Sequence, residues 1–254
     1  LIEINNVCFS YEREILKNIN INIERGKFYT ILGPNGSGKT TLLRILSKSL
    51  NIDKGEIFID EKELTQIKTK VLAKEMAVVP QCTEIEFDFS VQDIVLMGRT
   101  PHIPRFCAES EKDMEIAKNA MEITNIWEFR NKSINTLSGG ERQRVVVARA
   151  IAQETGIILL DEPISHLDIH HQIEIMNQLK QLNKNKNITI IAVLHDLNIA
   201  AAYGDHIILM HDQRVYKDGT PEEVLTEDII GKVYGLEVYI TKNPKTGKTF
   251  IMPF

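Results

Sequence analysis

An α/β fold with both parallel and antiparallel strands is what this chain predicts, and three patterns predict it. A continuous apolar run at 157–160 and largely apolar ones at Phe28–Leu32 and 188–194 read as strands buried on both faces, the mark of a parallel sheet. Val7, Phe9 and Tyr11 alternate with polar residues, as do Ile19, Ile21 and Ile23, which reads as an antiparallel pair. Between Cys82 and Glu154 the spacing changes to that of helices. The expectation is a mixed β core with an N-terminal antiparallel β subdomain and an inserted α-helical subdomain.

Taken in order, the antiparallel pair turns near Glu12 to Glu14, and Glu24-Arg25-Gly26 leads into the strand at Phe28–Leu32. Tyr11 closes the small sheet, where it serves either as sheet packing or as an aromatic face for a purine. The strand runs into Gly33-Pro34-Asn35-Gly36-Ser37-Gly38-Lys39-Thr40-Thr41, which matches the phosphate-loop pattern of two glycines four residues apart followed by Lys and Ser/Thr. Leu42, Leu43 and Leu46 then share one face of a helix. A chain of this length shows the bare pattern by chance about once in a hundred, and strand and helix on either side lower that further. A glycine-rich loop turns its N–H groups inward around an anion, and the helix N-terminus adds its positive end. Lys39 can reach the β- and γ-phosphates of a nucleotide, and the Thr40 hydroxyl can ligate Mg²⁺.

Composition sets the outer limits. With 254 residues, 43% hydrophobic, the chain can bury one large domain or two closely packed lobes. No apolar run approaches a membrane span and no signal-peptide pattern opens the chain, so a soluble protein is expected. It begins at Leu1, and an initiator residue is expected to be missing or removed. A net charge of −5 argues against a protein that coats nucleic acid. Cys8, Cys82 and Cys107 are scattered without metal spacing, as reduced thiols are.

Beyond the loop helix, Asp53-Lys54-Gly55 turns into a strand at Glu56 to Ile59, and Ala77 to Val79 forms another that ends at Pro80-Gln81. Gln81 stands where a polar group can touch metal, water or phosphate, or merely end a strand. Ser90 with Asp93 and Ser110 with Asp113 are capping-box pairs opening two helices, the second with a wide apolar band that includes Met114 and Trp127 as expected core. Between them Gly98 to Phe106 is a Pro-broken segment with Ile103 and Phe106 beside Arg99 and Arg105, either a connecting loop or an interaction surface.

Leu137-Ser138-Gly139-Gly140-Glu141 follows, with Ser138 as N-cap, Glu141 as its partner and two glycine amides beside a hydroxyl. Such a helix start is a second anion site or an ordinary glycine-rich cap. The run at 157–160 ends in Asp161-Glu162, acids at the carboxyl end of a buried strand, where open α/β sheets bind ligands. Asp161 suits Mg²⁺, directly or through water, and Glu162 suits polarising a water molecule. Strand 188–194 delivers His195 to the same edge, and Asp196 caps the next helix. A hairpin at Asp212-Gln213, a helix opening at Thr220-Pro221-Glu222-Glu223 and a last hairpin turning at Asn243 to Gly247 complete the chain.

The order of these motifs resembles the ATP-binding-cassette (ABC) ATPases, a branch of the P-loop NTPases, over essentially the whole chain. Leu-Ser-Gly-Gly-Glu at 137–141 is the diagnostic piece. The resemblance implies one ABC ATPase domain. Its nucleotide-binding core would comprise 1–81 and 156–230, its helical subdomain 82–155 and its C-terminal extension 231–254. It implies ATP and Mg²⁺ as ligands, Tyr11 stacking on adenine, and residues Gly33 through Thr41 around the phosphates. Gln81 would link Mg²⁺ and attacking water to the helical lobe, with Thr40, Gln81 and Asp161 about the metal. Glu162 would be the general base and His195 the γ-phosphate sensor. Ser138, Gly139 and Gly140 would contact ATP held by a second copy in a head-to-tail dimer, with Asp168 crossing that interface. Ile164 stands where the family more often has Thr.

Finer features resemble the ATPase subunits of iron-siderophore, haem and cobalamin importers. These are Val95 to Arg99 followed by Pro101-His102, Leu194 to Asn198 with its alanine-rich helix, and Thr220 to Leu225. What that implies is ATP hydrolysis powering a membrane importer from the cytoplasmic face of the cell membrane. Permease subunits would be met through 87–106, and an extracytoplasmic substrate-binding protein would take part indirectly. Import of a metal ion or oxyanion is the alternative, and a soluble ATPase of DNA repair or translation a more distant one. No sustained heptads of the repair type are present, and no nucleic-acid partner is expected.

Overall fold

The structure, a computed structural model, describes residues 1–81, 88–165 and 167–254. Cys82, Phe87 at the head of the expected permease segment, and His166 lie outside the described residues. In chain order the elements are β1 (Ile2–Ser10), β2 (Glu14–Ile23), β3 (Phe28–Leu32), α1 (Lys39–Leu46), β4 (Lys54–Ile59), β5 (Lys62–Glu63), α2 (Thr69–Glu75) and β6 (Met76–Val79). Next come α3 (Val91–Leu96), α4 (Glu111–Ile123), α5 (Gly139–Ala152), β7 (Ile157–Asp161) and α6 (Ile169–Lys186). The last part holds β8 (Thr189–Val193), α7 (Leu197–Tyr203), β9 (His206–His211), β10 (Arg214–Gly219), α8 (Pro221–Val224), α9 (Glu227–Tyr234), β11 (Val238–Lys242) and β12 (Thr249–Pro253). Among the described residues no helix is long and apolar enough to cross a membrane.

Two compact units divide the chain, one of Leu1–Ile67 with Thr189–Phe254 and one of Lys68–Ile188. In the first, β2, β1, β4 and β5 form an antiparallel sheet. Buried positions in β1 are Ile2 and Ile4, then Val7 and Phe9, so the alternation changes phase once. The register shift between Ile4 and Val7, with Asn6 at φ 51°, is the bulge that does this. A second sheet places β3 between β8 and β9, parallel to both, with β10 antiparallel to β9 across the Asp212-Gln213 turn. β3 and β8 are buried at all ten positions, as their apolar runs require. The hairpin of β11 and β12 ends the unit.

The second unit pairs β6 and β7 in parallel, from Met76 opposite Ile157 to Val79 opposite Leu160. Its helices begin where capping side chains stand: Ser90 with Asp93, Ser110 with Asp113 and Ser138 with Glu141 each form a complete capping box. On α4 the apolar band is narrower than its sequence suggests. Ala117, Ala120 and Met121 are buried, whereas Met114 is exposed. Trp127, expected in the core, is half-buried instead, with the Arg130 guanidinium 4.5 Å and the Lys118 ammonium 5.4 Å from its ring centroid. Cations over both approaches make a surface position favourable for the indole.

Candidate functional site

β3 ends at Leu32, and Gly33 takes up φ 145° with no room for a side chain, since a β-carbon there would lie 2.1 Å from the Met210 carbonyl oxygen. The loop can therefore begin only with glycine. At Gly36, φ 79°, a β-carbon would meet nothing within 4 Å, so this position opens on free space. Lys39, the first residue of α1, is buried, and its ammonium donates to the carbonyl oxygens of Gly33 at 2.8 Å and Pro34 at 3.0 Å. A buried cation is thus held at the mouth of the loop by the loop's own backbone. Ser37 Oγ is buried without a hydrogen-bond partner, an acceptor-and-donor group left for a ligand. The Lys39 ammonium, held by the loop carbonyls, with the unpartnered Ser37 hydroxyl beside it fits a polyphosphate, which offers charge to the first and an acceptor to the second. Asn35 and Gly36 are exposed at the tip, and Pro34, Thr40 and Thr41 are intermediate.

His195 comes to this loop through the sheet. Ile31 of β3 pairs with Val193 of β8, and the Leu194 N–H donates to the Ile31 carbonyl at 3.2 Å, so both chains leave the sheet at its carboxyl edge. Tyr11, just past β1, is 57% exposed and stands perpendicular to the Phe9 ring, their centroids 4.8 Å apart. Tyr234 of α9 reaches the same loop. Burial pushes its phenol up to about 12, while a hydrogen bond with the Gly33 backbone acts the other way. Nothing in the sequence near Tyr234 announces this contact, which depends on how α9 returns to β3.

In the second unit, Gln81 and Glu162 follow the neighbouring parallel strands β6 and β7. Gln81 Nε2 donates to Glu162 Oε2 at 2.8 Å. Asp161, the last residue of β7, is buried, and Glu162 adopts φ 51°, which turns it away from the strand direction. At α5 the Ser138 Oγ accepts from the Glu141 N–H at 3.3 Å, while Glu141 Oε2 accepts from the Ser138 N–H at 2.8 Å. These bonds to Ser138 hold the Glu141 carboxyl below its ordinary value. The box uses the amides of Ser138 and Glu141, leaving those of Gly139 and Gly140 to the first turn of the helix. A β-carbon on Gly139 would meet nothing within 4 Å.

One expectation changes. Arg99, grouped by sequence with an interaction surface, is 4% exposed. Its guanidinium binds Asp113 at 2.9 Å, Glu154 at 3.0 Å and the Ala152 carbonyl at 2.7 Å. Three acceptors in one place satisfy a buried guanidinium, so Arg99 is a structural post of the helical region. Phe106 is the reverse, 94% exposed at φ 69°, with the Arg105 guanidinium 5.0 Å from its ring centroid.

Comparison with known proteins agrees with this geometry. The family model described as ABC transporter matches residues 16–165. The iron(3+)-hydroxamate import ATP-binding protein FhuC of Bacillus subtilis is 39% identical over 96% of this chain and 90% of its own. The ferric enterobactin transport ATP-binding protein FepC of Escherichia coli is 38% identical over 94% and 88%. Among solved structures, a metal-chelate type ABC transporter in an inward-facing conformation matches with a TM-score of 0.87 at 29% identity, covering 100% of this chain and 97% of that one. A dimeric, post-hydrolysis ATP-binding cassette bound to ADP and Pi matches with a TM-score of 0.79 at 31% identity, covering 87% and 99%. With a glycine-rich loop closed by Lys39 in one unit and a hydrogen-bonded Gln81 and Glu162 in the other, and with these relatives, this chain belongs to the ABC transporter family, as one of its ATP-hydrolysing subunits.

Proposed function

We propose that two copies of this chain close head to tail on two ATP molecules, and that closing and reopening drives import of an iron-siderophore, haem or cobalamin-type chelate through membrane permease subunits. The observation that carries the ATP-driven part is the buried Lys39 beside the unpartnered Ser37 hydroxyl, a cradle awaiting phosphate. The cargo class is supported by relatives named for ferric hydroxamate, enterobactin, petrobactin and hemin.

In this reading Tyr11 stacks on adenine and the residues from Gly33 to Thr41 wrap the phosphates. Thr40, Gln81 and Asp161 offer a hydroxyl, an amide and a carboxylate, the hard oxygens Mg²⁺ takes. When bound, that ion neutralises phosphate charge. Glu162 takes a proton from the attacking water, with Gln81 orienting its carboxylate. His195 senses the γ-phosphate from the loop side. Ser138, Gly139 and Gly140 of one copy donate to the ATP held by the other, so each nucleotide bridges two chains. ATP shifts the population toward the closed form because only that form gives its phosphates both sets of donors. The helical insertion at 82–155 passes the motion on. Within it the exposed Phe106 and its neighbours are the surface for a permease at the cytoplasmic face, with a substrate-binding protein acting beyond the membrane.

Glu162→Gln tests the cycle. It should retain ATP binding, lower turnover by about 10²-fold or more and run as a dimer on gel filtration with ATP. A variant that stays monomeric with ATP at every concentration, or hydrolyses normally, removes the reading. Uptake of a labelled ferric chelate by cells lacking the chain, restored by the wild type and not by Glu162→Gln, tests the cargo.

A further inference from the structure

At the start of α6, Asp168, His170 and His171 offer one donor atom each, all within 4.8 Å of one another. Asp168 caps the helix, one oxygen accepting from the His171 N–H at 3.0 Å and the other lying 2.8 Å from His171 Nδ1. The His170 ring stands perpendicular to that of His171, their centroids 5.4 Å apart. Asp168 and His170 are exposed and His171 is partly so, which leaves an open path for an ion from solvent.

We propose that Asp168, His170 and His171 form a surface site for a first-row divalent transition cation such as Zn²⁺. Two imidazoles with one carboxylate suit Zn²⁺, Ni²⁺ or Fe²⁺, while Mg²⁺ and Ca²⁺ require oxygen donors throughout. A four-coordinate centre with bonds of about 2.0–2.2 Å needs donors roughly 3.4 Å apart. The Asp168–His171 pair is already closer than that, and rotation of the exposed His170 ring closes the remaining gap. The ion replaces the hydrogen bond between Asp168 and His171: the Nδ1 proton is lost to solvent while Nε2 carries one, so the ring ligates as the neutral Nε2–H tautomer, and water completes the coordination. His171 Nδ1 lies 3.9 Å from where a Gly140 β-carbon would stand. Ligation would therefore fix the first turn of α6 beside the first turn of α5.

Calorimetric titration of the full, nucleotide-free chain with Zn²⁺ tests the site, with Co²⁺ absorption reporting the ligands. One site per chain is expected, weakened at least about tenfold in His170→Ala and also in Asp168→Asn, which keeps a helix cap while removing the charge. Co²⁺ should show ligand-field bands without thiolate charge transfer. Equal Zn²⁺ affinity in wild type and His170→Ala, absence of binding, or a thiolate band traceable to Cys107 would each overturn the proposal. None of these readouts depends on ATP turnover, so they stand apart from the transport reading.

Discussion

Gln81 Nε2 donates to Glu162 Oε2 across 2.8 Å, joining the residues that leave two neighbouring parallel strands. Glu162 sits at φ 51°, a left-handed conformation that costs a non-glycine residue about 1–2 kcal/mol. The turn holds it there, with the Ser165 N–H and hydroxyl both reaching the Glu162 carbonyl, at 3.3 and 3.2 Å. The backbone aims this carboxylate, and Gln81 fixes the side chain.

Removing Gln81 alone should separate orientation from binding. Gln81→Ala is expected to lower ATP turnover about tenfold while changing ATP affinity by less than about threefold, because one hydrogen bond is worth roughly 1 kcal/mol. Steady-state hydrolysis and nucleotide titration on the same preparation decide it. If affinity falls as far as turnover, Gln81 acts through the bound ground state instead.

Arg99 gives a prediction of the opposite kind. The buried guanidinium has three acceptors, of which Glu154 is exposed, so Arg99→Ala strands chiefly the partly buried Asp113 carboxylate and the Ala152 carbonyl, at a cost of about 2–3 kcal/mol to the folded state. Phe106→Asp alters a fully solvated ring and should leave the denaturation midpoint within about 0.5 kcal/mol of wild type. Capture of a polytopic protein from solubilised membranes should be lost in Phe106→Asp despite unchanged stability. Loss in Arg99→Ala alone would trace the defect to unfolding.

Asp113 couples this post to pH. Hydrogen bonds from the Ser110 hydroxyl and N–H, then from Arg99, lower its carboxyl from 3.8 to about 2. A depressed carboxylate stabilises the fold above its unfolded value and loses that contribution as pH falls toward the folded one. Thermal midpoints of the wild type should therefore fall between pH 3.8 and about 2 more steeply than those of Ser110→Ala, which starts lower at neutral pH. Parallel curves would show that Ser110 does not set this ionisation.

These predictions follow the boundary between what the sequence makes legible and what it does not. Strands came from period and from apolar runs, and the Ser90, Ser110, Ser138 and Thr220 caps came from partners three residues away, all local relations. The phosphate loop was legible for the same reason. Arg99 was misread because its partners stand 14 and 55 residues downstream, where no periodicity reaches. Trp127 was misread as core because α4 stops at Ile123, so the helical spacing that counted it does not reach it, and the cations of Lys118 and Arg130 lie over its ring instead. The turn at Glu162 was hidden too, since a left-handed acid leaves no compositional trace.

Two glycines of the phosphate loop separate fold from ligand most sharply. A β-carbon on Gly33 would lie 2.1 Å from the Met210 carbonyl oxygen and 2.9 Å from Ser37 Oγ, and the first of these is backbone of β9 that cannot swing aside. Gly33→Ala should therefore force β3 and β9 apart locally and cost about 3 kcal/mol or more, visible as a lower denaturation midpoint without any nucleotide. A β-carbon on Gly36 would meet nothing within 4 Å, so Gly36→Ala carries only the strain of φ 79°, about 1–2 kcal/mol. That empty space is where the loop tip faces a bound phosphate in the proposed cycle, so Gly36→Ala should weaken ATP binding by more than its stability cost explains. ATP should then raise the thermal midpoint of Gly36→Ala less than that of wild type at equal concentration. An undiminished ATP-induced shift would place the phosphates away from Gly36 and reassign the cradle to Ser37 and Lys39 alone.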